Sequence, residues 1–160
     1  VKPDDRERLF DLIYRKAVCV GVGIADARTV DRINVLKATH LAMSEAIRQL
    51  EPTPDLLIVD GRGLPGAVVP QRAIVGGDRT CASIAAASIV AKVTRDRMMV
   101  KLDDMYPGYA FGRHKGYGTR EHLARLAELG PCPEHRRSFA PVAAARQGRL
   151  SLESDPALTP

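Results

Sequence analysis

Hydrophobic positions along the chain switch between two periods, and each switch marks an element. Residues 3–16, PDDRERLFDLIYRK, carry Leu9, Phe10, Leu12 and Ile13 among charges, a spacing that predicts an amphipathic helix. The next stretch, AVCVGVGIA, sets Val18, Val20, Val22 and Ile24 against Ala17, Cys19, Gly21, Gly23 and Ala25. That alternation predicts a strand with one bulky face and one small face, and the small face lets a helix approach closely. From Thr29 to Leu50 the apolar residues Ile33, Leu36, Met43, Ile47 and Leu50 return to helical spacing, with Thr29 placed to cap the first turn and Pro52 just past the end.

Four apolar residues, Leu56 to Val59, then run into Asp60 and a Gly/Pro loop. A strand that apolar is expected to be buried on both faces. A short strand about RAIVG follows, and Gly76, Gly77 and Asp78 lead into a long helix over about Thr80 to Met105, stopped by Tyr106, Pro107 and Gly108. Ala82, Ala85, Ala86 and Ser88 give that helix little bulk in its early turns, so its axis is expected to lie close to the sheet and to bring Asp78 toward Asp60. A glycine-rich basic loop, YAFGRHKGYGT, precedes a last helix, Arg120 to Leu129, closed by Gly130 and Pro131. From Arg146 onward large apolar residues are few, and residues 146–160 are expected to be a disordered tail. Strands alternating with helices predict an α/β layered domain, without repeats and without a linker that would split its core.

Composition adds limits. At 160 residues and 45% apolar content the chain suits one domain with a sizeable core. A net charge of +5 and a pI near 9.4 are compatible with a polyanionic partner without pointing to one. Cys19, Cys81 and Cys132 are odd in number and widely spaced, which argues against a disulfide framework and a zinc site and for a reducing cytoplasm. The longest run of apolar and small residues, Cys81 to Ala91, is far short of the roughly 20 residues of a membrane span, and no basic-then-apolar leader opens the chain. A monomer off the membrane is expected. The chain opens at Val1 with a helix already in progress, so an N-terminal part is expected to be missing.

The chemistry centres on two aspartates. Asp60 ends a strand, where ligand sites gather in open α/β sheets, although an Asp before Gly also commonly caps a turn. Asp78 sits just ahead of a helix, where an N-cap is the ordinary explanation. Two carboxylates delivered to one end of a sheet repel unless a cation lies between them, and hard oxygen donors favour Mg²⁺ or Mn²⁺. The basic loop supplies Arg113, His114, Lys115 and Arg120 around glycines, with Tyr109, Phe111 and Tyr117 interleaved, and PEHRRSF adds His135, Arg136 and Arg137. Such a set suits a phosphodiester backbone, and each member also reads as ordinary surface charge or aromatic packing. Lys92 is placed either to reach a phosphate or to snorkel at the surface.

The run GDRTCASIAAASIVAKVTRDRMMVKLDDMYPGYAFGRHKGYGTREHLARLAELGPCPEHRRSFAPV, with LLIVDGRGLP and INVLKATHLAM before it, resembles the C-terminal portion of ribonuclease HII. The resemblance covers residues 3–142 as a catalytic domain. It implies a ribonuclease H-like layered sheet with flanking helices, and an endonuclease acting on the RNA strand of RNA–DNA hybrids and at ribonucleotides embedded in duplex DNA, with a place in DNA repair. Products would carry a 3′-hydroxyl and a 5′-phosphate. Four acidic residues would hold two Mg²⁺ or Mn²⁺ ions, one preparing the attacking water and the other stabilising the leaving oxygen. Asp60 matches the third acidic ligand and Asp78 the fourth, while Tyr117 in HKGYGT matches the tyrosine that stacks on the sugar and senses its 2′-hydroxyl; from the basic loop and helix themselves, Arg113, His114, Lys115 and Lys92 are expected as further substrate contacts.

The family's first strand, bearing an adjacent Asp-Glu pair and a Gly-Arg-Gly, has no counterpart here. The Gly-Arg-Gly of residues 61–63 follows the third acidic position and is not given that role. The first strand is thus expected to be missing, and these 160 residues by themselves to be inactive or weakly active. Two other readings stand beside this one. Asp60 followed by a Leu-Pro-Gly turn also resembles the phosphoacceptor strand of a receiver-type signalling domain, which would need a strand-terminal lysine that is not visible, since Lys92 and Lys101 fall within a helix. A non-catalytic binder of hybrid duplexes would keep the basic loop without the acidic pair.

Overall fold

Pro3 opens the first helix, α1 (Pro3–Lys16), at a position where a proline costs no hydrogen bond; Asp4 and Asp5 in the first turn and Arg15 and Lys16 in the last complement its dipole. In the computed structural model, which describes residues 2–153 with side chains to 148, the remaining elements are α2 (Ala27–Arg48), β1 (Leu57–Asp60), β2 (Gln71–Ile74), α3 (Gly77–Thr80), α4 (Ala82–Met105), α5 (Phe111–His114), α6 (Arg120–Leu129) and α7 (Ala140–Glu153). The fold is mixed α/β, as expected, with helices dominating a small sheet.

These residues do not form the single unit that composition led one to expect. They segregate into one compact unit of residues 2–25 and 36–95 and a second of residues 26–35 and 96–153. The divisions fall at and within α2 and within α4 rather than at a glycine or proline linker, which is why nothing in the composition signalled them. In the first unit the core gathers Phe10 of α1 with Val90 and Val93 of α4, and Ile13, Val20, Val22 and Ile89 pack against it.

Residues 17–25, expected as a strand, are extended but unpaired among the described residues. A strand exists only through a hydrogen-bonded neighbour, and here a side chain takes that place. The Gln49 amide accepts from Val22 N–H at 3.1 Å and donates to Val22 C=O at 2.9 Å. The small face behaves as the alternation implied: a Cβ on Gly21 would lie 2.1 Å from the Ala46 carbonyl oxygen, and one on Gly23 1.7 Å from that of Ala42. Val18 and Ile24, on the bulky face, remain exposed.

Helix α2 departs from expectation twice. Its first turn is capped by Asp26, whose Oδ1 accepts from Thr29 N–H at 2.7 Å, so Thr29 lies inside the helix rather than before it. Aspartate is at least as good a cap as threonine, and Asp26 starts the helix three residues earlier, leaving Thr29 at the N3 position whose N–H the cap accepts. The helix also breaks at Asn34, which takes φ 68 and ψ 165. The predicted long helix over 80–105 likewise divides, with extended Cys81 between α3 and α4. Residues 146–153, expected in a disordered tail, continue α7; their Arg, Gln, Leu and Glu content favours helix once Ala140 has started one. Residues 154–160 lie outside the described residues.

Strands β1 and β2 run parallel, with Leu57 opposite Gln71 and Asp60 opposite Ile74. Leu57 and Val59 are buried, whereas Ile58 and Leu56 on the other side are exposed, so the strand expected to be covered on both faces is covered on one. Residues 61–70 join the strands without a helix. That loop is closed by Gln71, whose amide accepts from Leu64 N–H and donates to Leu64 C=O, each at 2.7 Å.

Candidate active site and basic turn

Because β1 and β2 are parallel, both chains of the pair leave the sheet at the same end. Asp60 is the last residue of β1, and the residues after β2 turn through Gly76, at φ 66, into α3. There Gly77 N–H donates to Asp60 Oδ1 at 2.9 Å, so the carboxylate that ends β1 touches the residue immediately before Asp78. Gly77 allows the approach: a Cβ there would stand 2.3 Å from Ile84 Cδ1 of α4. The α4 residue that meets the turn carrying Asp78 is buried Ile84, whereas Ala82 and Ser88, expected to bring the helix close to the sheet, are exposed. Asp60 and Asp78 are both exposed.

These two side chains suit a hard divalent cation in their chemistry. One oxygen of Asp60 is engaged by a backbone N–H, an arrangement that orients a carboxylate without neutralising it. No group of three His, Cys, Asp or Glu side chains gathers in a metal-holding arrangement among the described residues. Magnesium is commonly held by one or two carboxylates, with water and substrate phosphate completing its shell, so carboxylates of this kind are compatible with such an ion in donor chemistry. Lys92 sits about 15 Å along α4 from its first residue, half-buried and in the same unit.

The second unit holds the basic turn. Short α5 is capped by Lys115, just past its end and in the left-handed region at φ 51, followed by Gly116 at φ 73. Lys115 Nζ donates to the Gly112 carbonyl, closing its own turn, and the Arg113 guanidinium pairs with Glu121 at 2.6 Å. Two of the expected phosphate contacts therefore carry local partners. Tyr117 combines a held backbone with an outward ring. Its N–H donates to His114 C=O at 2.9 Å, its C=O accepts from Thr119 N–H at 2.8 Å and from His122 Nδ1 at 2.9 Å, and the side chain is 53% exposed.

His114, expected to face substrate, is instead buried, at 7% exposure, with both ring nitrogens bonded to backbone: Nε2 to Tyr109 C=O at 2.8 Å, and Nδ1 to Gly116 N–H at 3.2 Å. Its neighbours are two further buried histidines. His122 stacks on it with centroids 4.2 Å apart, and His122 Nε2 meets His135 Nε2 at 3.1 Å. The Tyr109 and Phe111 rings line the same cluster, and the Tyr109 hydroxyl donates to Gly130 C=O at 2.6 Å. His135 was expected to add to the basic surface together with Arg136 and Arg137; those arginines are exposed, whereas His135 is not.

Burial lowers the proton affinity of His122 and of His135 below the ordinary value of 6.5, with the neighbouring imidazoles adding to the effect. The unfolded chain therefore takes up protons at these positions before the folded one does as pH falls. Their contribution to stability is complete above about pH 6.5 and is lost as pH drops below it. Urea unfolding followed by circular dichroism is expected to give a lower midpoint near pH 5.5 than near pH 7.5; an equal or higher midpoint at the acid end would contradict buried neutral rings.

One more connection in this unit escaped the sequence. Asp31 accepts from Arg137 N–H at 2.7 Å, Ser138 N–H at 2.9 Å and the Ser138 hydroxyl at 2.6 Å. The hydroxyl, ahead of the backbone groups, holds the Asp31 carboxyl below its usual range. Partners 107 positions apart leave no local signal.

The sequence model of ribonuclease HII matches residues 1–142 of this chain. Among curated proteins, the chain is similar to the ribonuclease HII of Geobacter metallireducens, at 56% identity over 137 residues that cover 86% of this chain and 64% of that protein. It is also similar to the ribonuclease HII of Paracidovorax citrulli, at 52% identity over 149 residues, covering 93% of this chain and 62% of the other. The chain thus spans less than two thirds of the length of these relatives. Among solved structures, the crystal structure of the ribonuclease H2 from Pyrococcus horikoshii OT3 matches with a TM-score of 0.69 and 21% identity, over 97% of this chain and 80% of that one. At that identity the likeness concerns the fold.

Proposed function

The chain belongs to the ribonuclease HII family, and from that premise we propose that it supplies the later part of an endonuclease cutting the RNA strand of RNA–DNA hybrids and duplex DNA at embedded ribonucleotides. The observation that carries the reading is the 2.9 Å bond from Gly77 N–H to Asp60, which ties the end of β1 to the start of α3. In this reading Asp60 and Asp78 hold Mg²⁺ or Mn²⁺, and the metal supplies charge neutralisation at the scissile phosphate. The chain's own residues orient the substrate. Tyr117 offers its exposed ring to the sugar on a backbone held at both ends, and the glycines around it let a phosphodiester approach. Its products would be 3′-hydroxyl and 5′-phosphate ends. Action in the cytoplasm as a monomer is part of the same proposal.

The receiver reading falls with the family assignment. Non-catalytic binding of hybrids survives as an outcome of the test. Fluorescence anisotropy with a duplex containing one ribonucleotide should report salt-dependent binding by these 160 residues. Tyr117→Ala is expected to weaken that binding by about tenfold, the worth of one lost stacking contact, and to leave binding to the all-DNA duplex little changed. Equal losses on both duplexes would remove the 2′-hydroxyl role from Tyr117.

A further inference from the structure

The contacts of the three buried imidazoles leave one consistent placement of their protons. Gly116 N–H donates to His114 Nδ1, so the His114 hydrogen is on Nε2, where it donates to Tyr109 C=O. Cys132 N–H donates to His135 Nδ1 at 3.1 Å, and Cys132 Sγ also lies 3.1 Å from that nitrogen, where a protonated thiol donates; His135 therefore also carries its hydrogen on Nε2. That hydrogen points at His122 Nε2, which must accept it; the His122 hydrogen is then on Nδ1, where it donates to Tyr117 C=O. The bonds run in one direction from Cys132 through His135 and His122 to Tyr117, and Tyr117 N–H closes onto His114 C=O. Every ring is neutral, and none has a spare acceptor. A proton added to His122 or His135 at Nε2 or Nδ1 would set one N–H against another.

We propose that His114, His122 and His135 act as positioning residues: held neutral in fixed tautomers, they keep the Lys115–Tyr117 turn in the shape that meets a ribonucleotide, and one added proton releases it. The proposal rests on the reading of that turn as a nucleic-acid contact and deepens it. None of the three rings touches substrate in this scheme; they act through the Gly116 and Tyr117 backbone. The titratable and charged groups around the set are the rings themselves, Tyr109 and the Cys132 thiol within it, Glu134 beside Cys132, and Lys115, Arg113 and Glu121 on the turn side. Of these, Lys115 is bonded to Gly112 C=O, Arg113 is paired with Glu121, and burial pushes the Cys132 thiol up, so it stays protonated across the range in which the imidazoles titrate. The acid-side change is therefore assigned to the histidines.

The test uses the 160-residue chain between about pH 8 and about pH 5. Nitrogen-15 spectra of the imidazoles read each tautomer directly, exchange of the Gly116 and Tyr117 amides reads the turn, and anisotropy with a duplex holding one ribonucleotide reads binding. At the upper end His114 and His135 should show hydrogen on Nε2, and His122 on Nδ1. As the rings take up protons, both amides should lose protection and binding should weaken by about tenfold, while far-ultraviolet circular dichroism holds steady. His122→Asn, which keeps an N–H for Tyr117 C=O and takes no proton, should bind normally at neutral pH and carry its acid limb to lower pH. His122→Leu should lose about tenfold throughout; should it fail to fold, the asparagine variant and the wild-type pH series still decide. A charged ring or a different His122 tautomer at neutral pH overturns the proposal. Acid-weakened binding with both amides still protected also overturns it, and leaves the nucleic-acid reading standing. Amides released with binding unchanged would instead show that the turn takes no part in binding, and both readings would fall at that point.

Discussion

Joined to a strand that supplies the Asp-Glu pair implied by the family, these residues are expected to lose about a thousandfold in cleavage rate when Asp60 or Asp78 becomes asparagine. The substitution is nearly isosteric. In Asp60→Asn the amide oxygen would still accept from Gly77 N–H, so the tie between β1 and α3 survives. What goes is one negative charge beside a divalent cation, and loss of about 4 kcal/mol of transition-state stabilisation corresponds to that factor. Initial rates on a duplex with one ribonucleotide, at saturating Mg²⁺ and then Mn²⁺, provide the check. Rates within a few fold of the parent would show that neither carboxylate serves the metal. The 160 residues by themselves are expected to cleave near background, because two carboxylates hold two divalent ions poorly. Full-rate cleavage that vanishes in Asp60→Asn would overturn that expectation while supporting the family chemistry.

The second large effect concerns stability. Gly23→Val is expected to cost about 3 kcal/mol or more, a large share of the roughly 5–15 kcal/mol typical of a folded domain. A side chain there meets backbone: the added Cβ would lie 1.7 Å from the Ala42 carbonyl oxygen and 2.9 Å from Ala46 N. Neither atom can move without unwinding α2, so the extended segment must leave the helix and strip cover from Val20 and Val22. Chemical denaturation should show the loss, with Gly118→Ala as a neutral comparison because nothing lies within 4 Å of that position. A Gly23→Val protein as stable as the parent would mean that the segment does not dock as described.

Much of this was legible in residue order. Pro3 with two acidic neighbours, the run of helix formers from Arg120 and the glycine that closes it are local signals, and α1 and α6 follow them. The small face of residues 17–25 was equally plain, because alternation encodes a face whether or not a ladder forms. Pairing itself is non-local, and so Gln49 standing in for a neighbouring strand could not be read. Asn34 breaks α2 with no glycine or proline to announce it, and the spacing from Ile33 to Ile47 continues across the break. At the candidate site, Asp60 and Asp78 were singled out because strand ends and glycine turns mark such places, and what is seen is the bond from Gly77 N–H to Asp60. His114 and His135 were read as members of a phosphate-facing basic set and His122 was not singled out, because the three lie on separate segments of the chain; only the fold makes them one buried set.

The Gln71 clamp on Leu64 divides the connection between the strands into an anchored part and an outer one. Residues 65–70 lie beyond the anchored point, and Val68 at their tip is 97% exposed. A short epitope or a fluorophore inserted there would hang from a stapled base, with little leverage on the sheet end that precedes the clamp. That loop is thus a natural attachment point for reporters that must leave the acidic pair undisturbed.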